Sequence, residues 1–124
     1  MAIKVKLYHA AILIMNKMTK YALSWEQRQS GMLFLGRDDE GYMINGTFPV
    51  SDEIKSITEG MLSRIKKTSR EELKSSLLEP GAVKAEDPYS GIGFKQLALL
   101  SRSWDYTFDT PEGLPSELVY QVEI

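Results

Sequence analysis

Cysteine is absent from this sequence, and histidine occurs once. The first absence excludes disulfide bonds, thiolate metal sites and a cysteine nucleophile. The second excludes a metal site built from several histidines and a catalytic pair of histidines, because only His9 is available. No cofactor or metal is therefore expected. One enzymatic option stays open, in which His9 serves a serine or an aspartate beside the loop of residues 80–93.

Long apolar runs are also missing. The N-terminal apolar stretch spans residues 10–15, and Lys17 and Lys20 follow it closely. A membrane helix needs roughly 18 apolar residues, and a secretory signal needs a small-residue cleavage site that does not follow this stretch. We therefore expect a cytoplasmic protein that does not associate with a membrane.

The remaining composition is that of an ordinary globular protein. Apolar residues make up 43% of the 124 positions and charged residues 26%. A chain of this length buries about two thirds of its unfolded surface in one core. The sequence therefore predicts a single domain over residues 1–124.

The first thirty residues contain two different periodicities. Residues 3–8 alternate apolar and lysine side chains, which predicts a strand. Residues 10–29 repeat apolar side chains at steps of three and four, which predicts a helix that ends before a C-cap at Gly31. A continuation of the first strand through residues 12–14 is the alternative.

Turn residues at short spacing follow in residues 32–50. One turn is expected over residues 37–41, between two apolar runs. Asn45-Gly46 is the preferred pair for a type I′ hairpin turn, so we expect a second turn there. The segment thus predicts a small antiparallel meander.

Two helices are expected next. Ser51 or Asp52 caps a helix over residues 52–67, and Ser69 with Glu72 forms a capping box for a second helix that Glu79 ends. Residues 80–93 contain two prolines and three glycines, which predicts a flexible loop. Residues 94–100 fit either a short helix or a buried strand.

The C-terminal region predicts a hairpin. Trp104, Tyr106 and Phe108 alternate with polar residues, a Pro and Gly turn follows, and residues 117–124 alternate again. Strands and helices without regular alternation indicate an α+β fold, with helices packed on one face of a mainly antiparallel sheet.

The run Ser90-Gly-Ile-Gly-Phe-Lys95 raises the question of a phosphate cradle. Such a cradle needs glycines that let consecutive N–H groups converge on an anion. Gly91 and Gly93 have no third glycine or Gly-Lys-Ser/Thr after them, and Glu86 and Asp87 precede them. The sequence favours a loop over a nucleotide site.

Charge is distributed unevenly along the chain. Residues 1–78 hold 12 Lys and Arg against 9 Asp and Glu, whereas residues 79–124 hold 3 against 8, and no cation follows Arg102. Alternation places the acids of the hairpin on its outer face, where like charges repel. Lys4 and Lys6 of a neighbouring first strand, a basic partner, or both together would neutralise them. The candidate partner-binding residues are Asp105, Asp109, Glu112, Glu117 and Glu123.

The absence of a catalytic motif and the segregated charge favour a protein that acts by binding. Our leading hypothesis is a non-enzymatic inhibitor, in concrete form a bacterial immunity protein or antitoxin that neutralises a basic nuclease toxin. The alternative from another class is a nucleic-acid-binding regulator that uses residues 52–78, where Arg64, Lys66, Lys67 and Arg70 cluster. The slightly acidic chain disfavours nucleic acid as the partner.

Overall fold

The structure is a computed structural model that describes residues 2–25, 28–29, 31–78 and 91–124. These residues form four helices and six strands. In chain order the elements are α1 (Ile3–Tyr21), β1 (Ser24–Trp25), β2 (Arg28–Gln29), β3 (Met32–Asp38), β4 (Gly41–Val50), α2 (Asp52–Lys67), α3 (Arg70–Leu78), α4 (Ile92–Leu100), β5 (Ser103–Asp109) and β6 (Ser116–Glu123).

The centre of the fold is a four-stranded antiparallel sheet in the order β3-β4-β6-β5. The helices cover one face of this sheet, and β1 and β2 pair with each other as a separate ribbon. The inward side chains of β4 and β6 alternate regularly with outward ones, as Ile44, Phe48, Leu118 and Tyr120 show by being almost fully buried. The predicted α+β fold with helices on one face is confirmed.

The predicted N-terminal strand is wrong, since residues 3–8 belong to α1. The alternation that suggested a strand does not report burial, because Ile3 and Val5 are exposed. Helix α1 buries the side chains of Ala10, Leu13, Ile14, Lys17 and Tyr21, whose spacing fits 3.6 residues per turn. The helix also ends earlier than predicted, with its C-cap at Ala22 instead of Gly31.

The predicted turn at Asn45-Gly46 is wrong as well, because β4 runs unbroken through it. Gly46 lies opposite Leu33 of β3 and below α1. A Cβ atom at Gly46 would lie 2.5 Å from Ile14 Cγ2 and 3.2 Å from Met18 Cε. The glycine therefore permits close contact between helix and sheet, which is the other common reason for glycine in a strand.

The turn predicted over residues 37–41 is confirmed. Asp38 Oδ1 accepts hydrogen bonds from the backbone N–H groups of Glu40 at 2.8 Å and Gly41 at 2.9 Å. This is the usual way in which an aspartate stabilises a tight turn.

The two central helices are confirmed too. Ser51 Oγ accepts from Ile54 N at 3.2 Å, and Ser69 Oγ accepts from Glu72 N at 3.2 Å, so both predicted serines cap the helices that follow. The predicted stop at Glu79 and residues 80–90 of the predicted loop lie outside the described residues, whereas Ile92 and Gly93, also predicted as loop, begin helix α4.

The ambiguous segment of residues 94–100 is helical and forms most of α4. Phe94 and Leu97 of this helix are buried, and the ring of Phe94 packs on Tyr21 of α1 and on Tyr120 of β6. The predicted C-terminal hairpin is β5 and β6, and its inward side chains pack on the common core. None of the described helices is long and apolar enough to cross a membrane.

Candidate functional site

The acidic residues predicted to bind a partner lie on the outer face of the β5–β6 hairpin and in its turn. The register sets Asp109 directly opposite Glu117 and Asp105 opposite Gln121, whereas Glu123 lies opposite Ser103. Directly opposite side chains have Cβ atoms about 5 Å apart. The hairpin therefore brings Asp109 and Glu117 together, and Glu123 lies about 20 Å along the strand from Glu117.

Two of the five acids have cations beside them. Arg102 Nη2 lies 3.4 Å from Glu123 Oε2, and its Nη1 lies 3.2 Å from Glu40 Oε2. Lys66 of α2 reaches the edge of the sheet, where its Nζ lies 4.0 Å from Asp105 Oδ1. All three contacts are largely exposed to water and are worth about 0 to 1 kcal/mol each.

The predicted internal neutralisation by Lys4 and Lys6 is wrong. Both lysines lie in α1, and the strand beside β6 is β4 instead of an N-terminal strand. The cations that do approach the hairpin come from residues distant in sequence. Among the described residues, Lys66, which is 39 positions before Asp105, and Arg102, which directly precedes β5, form ion pairs there, and Lys55 of α2 lies 5.9 Å from the ring centre of Phe108.

The other three acids form what we call the acidic tip, which consists of Asp109, Glu112 and Glu117. No ion pair reaches any of them from the part of the chain that the structure describes. Leu114 follows in the same turn with 64% of its surface exposed. The end of the hairpin therefore presents three carboxylates around one exposed apolar side chain.

Two of the four cations in the basic cluster of α2 and α3 bind backbone carbonyl groups of the same chain. The cluster consists of Arg64, Lys66, Lys67 and Arg70. Arg70 donates from Nη1 to the carbonyl oxygens of Ala98 and Ser101, both at 3.1 Å, and so satisfies the last turn of α4. Lys66 donates to the backbone oxygen of Trp104 and lies 4.3 Å from the centre of its indole ring. Arg64 and Lys67 remain, which is fewer cations than a phosphate backbone usually requires.

The glycines of the suspected phosphate cradle have packing roles. Gly91 is the N-cap of α4 with φ 77°, a left-handed conformation that favours glycine. A Cβ atom at Gly93 would collide with the side chain of Lys17. The short helix start alone does not define an anion site, and the residues before Gly91 lie outside the described part of the chain.

Lys17 is a buried cation between α1 and α4. It is 6% exposed, and desolvation together with the charge of Lys20 lowers its pKa from 10.5 to about 8. Its Nζ lies 5.3 Å from the ring centre of Phe94 and 5.7 Å from that of Tyr21. These ring faces stabilise the ammonium and so offset part of the cost of its burial.

A cleft of about 340 Å³ lies between α2, α3 and α4. It is lined by Met61, Arg64, Ile65, Thr68, Glu72, Leu73, Ser76 and Lys95. Lys95 Nζ donates to Ser76 Oγ at 3.3 Å, and Ser76 Oγ donates to the Leu73 carbonyl at 2.9 Å. Within this described lining, the amine of Lys95 is the group in hydrogen-bonding contact with the serine, and no histidine or carboxylate contacts it.

The enzymatic option around His9 gains no support from the described residues. His9 is exposed on α1, and no described carboxylate makes a hydrogen bond with it. Among the residues described, no group of three or more His, Asp or Glu side chains could hold a metal ion.

One prominent surface was not predicted. Large apolar side chains are exposed on β3 and on one flank of α1. The signal in the sequence is the run Met32–Leu35, which is apolar at every position. In a strand that alternates its faces, such a run leaves apolar side chains on both faces of the sheet.

Comparison with known proteins identifies a related fold. No protein family model matches the chain, and no curated protein matches it either. Among solved structures, a chain in the crystal structure of the SiaB-SiaC complex from Pseudomonas aeruginosa superposes with a TM-score of 0.78. The match covers 97% of this chain and 70% of that chain, at 11% sequence identity. At this identity the likeness shows that the two chains share an α+β fold.

Proposed function

We propose that this chain acts by binding a basic protein partner through its acidic tip and does not itself catalyse a reaction. The observation that carries the proposal is the juxtaposition of Asp109 and Glu117, which lie opposite each other and form no ion pair with any described residue. Like charges directly opposite each other in a sheet are destabilising. A basic partner would turn this internal repulsion into attraction.

The chemistry of the partner follows from the surface. Carboxylates bind guanidinium and ammonium groups by charge-assisted hydrogen bonds, and two adjacent carboxylates suit a cluster of such cations. Leu114 supplies an apolar anchor that loses water on binding. The expected partner has a cationic patch with an apolar pocket beside it.

The solved structure with a similar fold is part of a protein–protein complex, which supports a binding role for this fold. The finer form that we propose is an immunity protein or antitoxin in the cytoplasm. In that role the carboxylates of the acidic tip would occupy the cationic surface with which a nuclease toxin holds nucleic-acid phosphates.

A charge-matched pair of variants tests the proposal. The first variant replaces Asp109, Glu112 and Glu117 with lysine. The control replaces three other exposed acids, Asp39, Glu59 and Glu71, with lysine, and both variants change the net charge from −2 to +4. The tagged wild-type chain and both variants are used to capture proteins from the native cell.

The expected result is one protein that wild type and the control retain and that the acidic-tip variant loses. Its cationic character is then checked from its own sequence. If the acidic-tip variant retains the same protein as the control, the proposed binding surface is wrong. If the retained protein is converted chemically by the chain, the non-catalytic role is wrong.

A further inference from the structure

Strand β3 is an edge of the sheet and is unusually apolar for that position. Its side chains Met32, Phe34 and Leu35 are 69%, 56% and 56% exposed, and Leu33 is 39% exposed. Natural proteins usually protect an edge strand with charges, proline or a bulge, because its free N–H and C=O groups can pair with another strand. No such protection is present in β3 before Arg37.

One flank of α1 continues this apolar surface. Helix α1 packs on β4 and against α4, while Phe94 of α4 contacts Tyr120 of β6. Since β3 lies on the other side of β4 from β6, the flank of α1 that faces away from α4 lies beside β3.

The residues on that flank can be identified from the helical geometry. Lys17 marks the side of α1 that contacts α4. Tyr8, Ile12 and Met15 lie about 140° to 180° around the helix from Lys17, and they are 71%, 51% and 46% exposed. Val5, which is 52% exposed, precedes Tyr8 by three positions on the same flank. We call this flank together with residues 32–35 the apolar face; along the β3 edge, Leu33 and Leu35 lie on the helix side, opposite Gly46 and Ile44, and Met32 and Phe34 lie on the other side.

The size of the apolar face is that of an interface. Eight large side chains about half exposed present roughly 600 Å² of apolar surface. The largest apolar patch of a typical monomer is about 300–600 Å², whereas a standard interface buries about 800 Å² per partner, somewhat more than half of it apolar. The apolar face therefore provides the apolar area that a stable dimer needs.

We propose that a second copy of this chain binds the apolar face, with β3 of one copy antiparallel to β3 of the other. This proposal does not depend on the acidic tip. A two-fold axis places the same strand opposite itself, so one edge supplies the free N–H and C=O groups of both partners. The two sheets would join into one sheet of eight strands, with the α1 helices on the same side.

The sequence of β3 suits pairing with itself. Centring the two-fold axis on Phe34 sets Phe34 opposite its copy and sets Leu33 opposite Leu35 of the partner. Residues directly opposite each other in an antiparallel pair lie on the same face, so apolar side chains meet apolar side chains. Arg37 and Asp38 lie outside this paired segment, where their charges stay in water.

The mass of the full chain in solution tests the proposal. Analytical ultracentrifugation should give twice the chain mass of 14.0 kDa for the wild type. Replacing Leu33 and Leu35 with lysine should give a single-chain mass, because two charges would be buried in the interface. The matched control replaces two exposed apolar residues outside the apolar face, Ile3 and Leu78, with lysine and should remain a dimer.

The absence of cysteine permits a second, independent test. Phe34→Cys places one thiol on the proposed axis, and a short bis-maleimide should link two copies into a covalent dimer. Leu114→Cys, an equally simple variant at the exposed hairpin turn, should not be linked under the same conditions. This experiment does not rely on the folding of the lysine variant.

Three results would overturn the proposal. They are a wild-type chain with a mass of 14.0 kDa up to its solubility limit, a dimer that persists in the folded Leu33 and Leu35 variant, and a Phe34→Cys chain that bis-maleimide leaves uncoupled. A monomer would mean that the apolar face belongs to a different partner.

Discussion

The two edges of the sheet differ in almost every physical respect. At β5 the ammonium of Lys66 donates to the Trp104 carbonyl and covers the indole ring, and Asp105 and Asp109 point outward. At β3 four successive apolar side chains are exposed. At the β5 edge a cation occupies a backbone carbonyl and acidic side chains lie nearby, whereas the β3 edge is exposed and apolar among the described residues.

This difference indicates two kinds of contact. A charged surface attracts a partner over a distance and depends on salt, because a Debye length in physiological salt is about 8 Å. An apolar edge gives a contact that is driven by burial and by strand pairing, which salt does not screen. We therefore expect separable binding events at the two edges.

The largest change in stability should come from the close contact between helix α1 and strand β4. Gly46→Val introduces a side chain where even Cβ would lie 2.5 Å from Ile14 Cγ2, so overpacking should lower the free energy of unfolding by about 3 kcal/mol. Gly60→Ala in α2 is the control, since its Cβ approaches only Arg64 Nη1 at 3.8 Å, and it should raise stability by about 0.5–1 kcal/mol. Urea unfolding measures both, and equal stability of the two variants would contradict the close contact of α1 with β4.

The second-largest change in stability should come from Lys17, which lies in the helix layer that covers the sheet between its β3 and β5 edges. The pKa of Lys17 is lowered to about 8 in the fold, against 10.5 when unfolded. Between pH 8 and pH 10.5 the unfolded chain binds more protons than the folded chain, so the stability of the wild type should rise with pH over this range. Below pH 8 the lysine is charged in both states, and the full cost of burying the charge is present. Lys17→Met should raise the free energy of unfolding by about 1–2 kcal/mol at pH 7, because methionine removes the buried charge but also loses the contacts of the ammonium with the rings of Tyr21 and Phe94.

Urea unfolding at pH 7 and at pH 10.5 measures this effect. The advantage of Lys17→Met should shrink as the pH rises, because above pH 8 the folded wild-type chain increasingly holds a neutral amine and no longer buries a charge. Lys20→Met, at an exposed position on the same helix, is the control and should show little effect at either pH. If Lys17→Met is less stable than the wild type, the buried ammonium stabilises the fold, which would contradict this prediction.

A smaller loss of stability should follow when Lys66 no longer contacts the β5 edge. Lys66→Met removes the hydrogen bond to Trp104 and the contact with its ring, and should cost about 1–1.5 kcal/mol. The exposed neighbour Lys67 is the control, and Lys67→Met should change stability by less than about 0.5 kcal/mol. Thermal unfolding distinguishes the two, and indistinguishable melting temperatures would show that Lys66 does not secure β5.

The smallest change concerns the repulsion within the acidic tip. Asp109→Asn removes one of two opposed charges and should raise the free energy of unfolding by about 0.3–0.5 kcal/mol at low salt. The gain should diminish in 1 M salt, where the Debye length is about 3 Å. A loss of stability at low salt would mean that Asp109 already has a cation beside it.

The sequence predicted those parts of the fold whose signals are local. Capping serines identified α2 and α3, and the alternating residues around a Pro and Gly turn identified the hairpin. The register of that hairpin follows from its turn, so the pairing of Asp109 with Glu117 could be predicted. The contacts of Lys66 with Asp105 and of Arg102 with Glu40 could not, because they join the hairpin to α2 and to the β3–β4 turn, which only the tertiary fold brings close to it.

The wrong predictions have physical causes in tertiary packing. Alternation in residues 3–8 normally reports a half-buried strand, but here the exposed side chains Ile3 and Val5 contribute to the pattern. Asn45-Gly46 has the composition of a turn, yet the glycine is required by the helix above it. The first error arises because α1 exposes apolar side chains, and the second because α1 packs closely on the sheet. Neither feature can be read from a short stretch of sequence.

The affinity of the chain for its captured basic partner tests the central claim most directly. Isothermal titration calorimetry with the wild type, the lysine variant of Asp109, Glu112 and Glu117, and the control at Asp39, Glu59 and Glu71 should show binding weakened at least about 100-fold in the first variant alone. The wild-type affinity should also fall as salt increases. An unchanged affinity in the acidic-tip variant, at any salt concentration, would contradict the account.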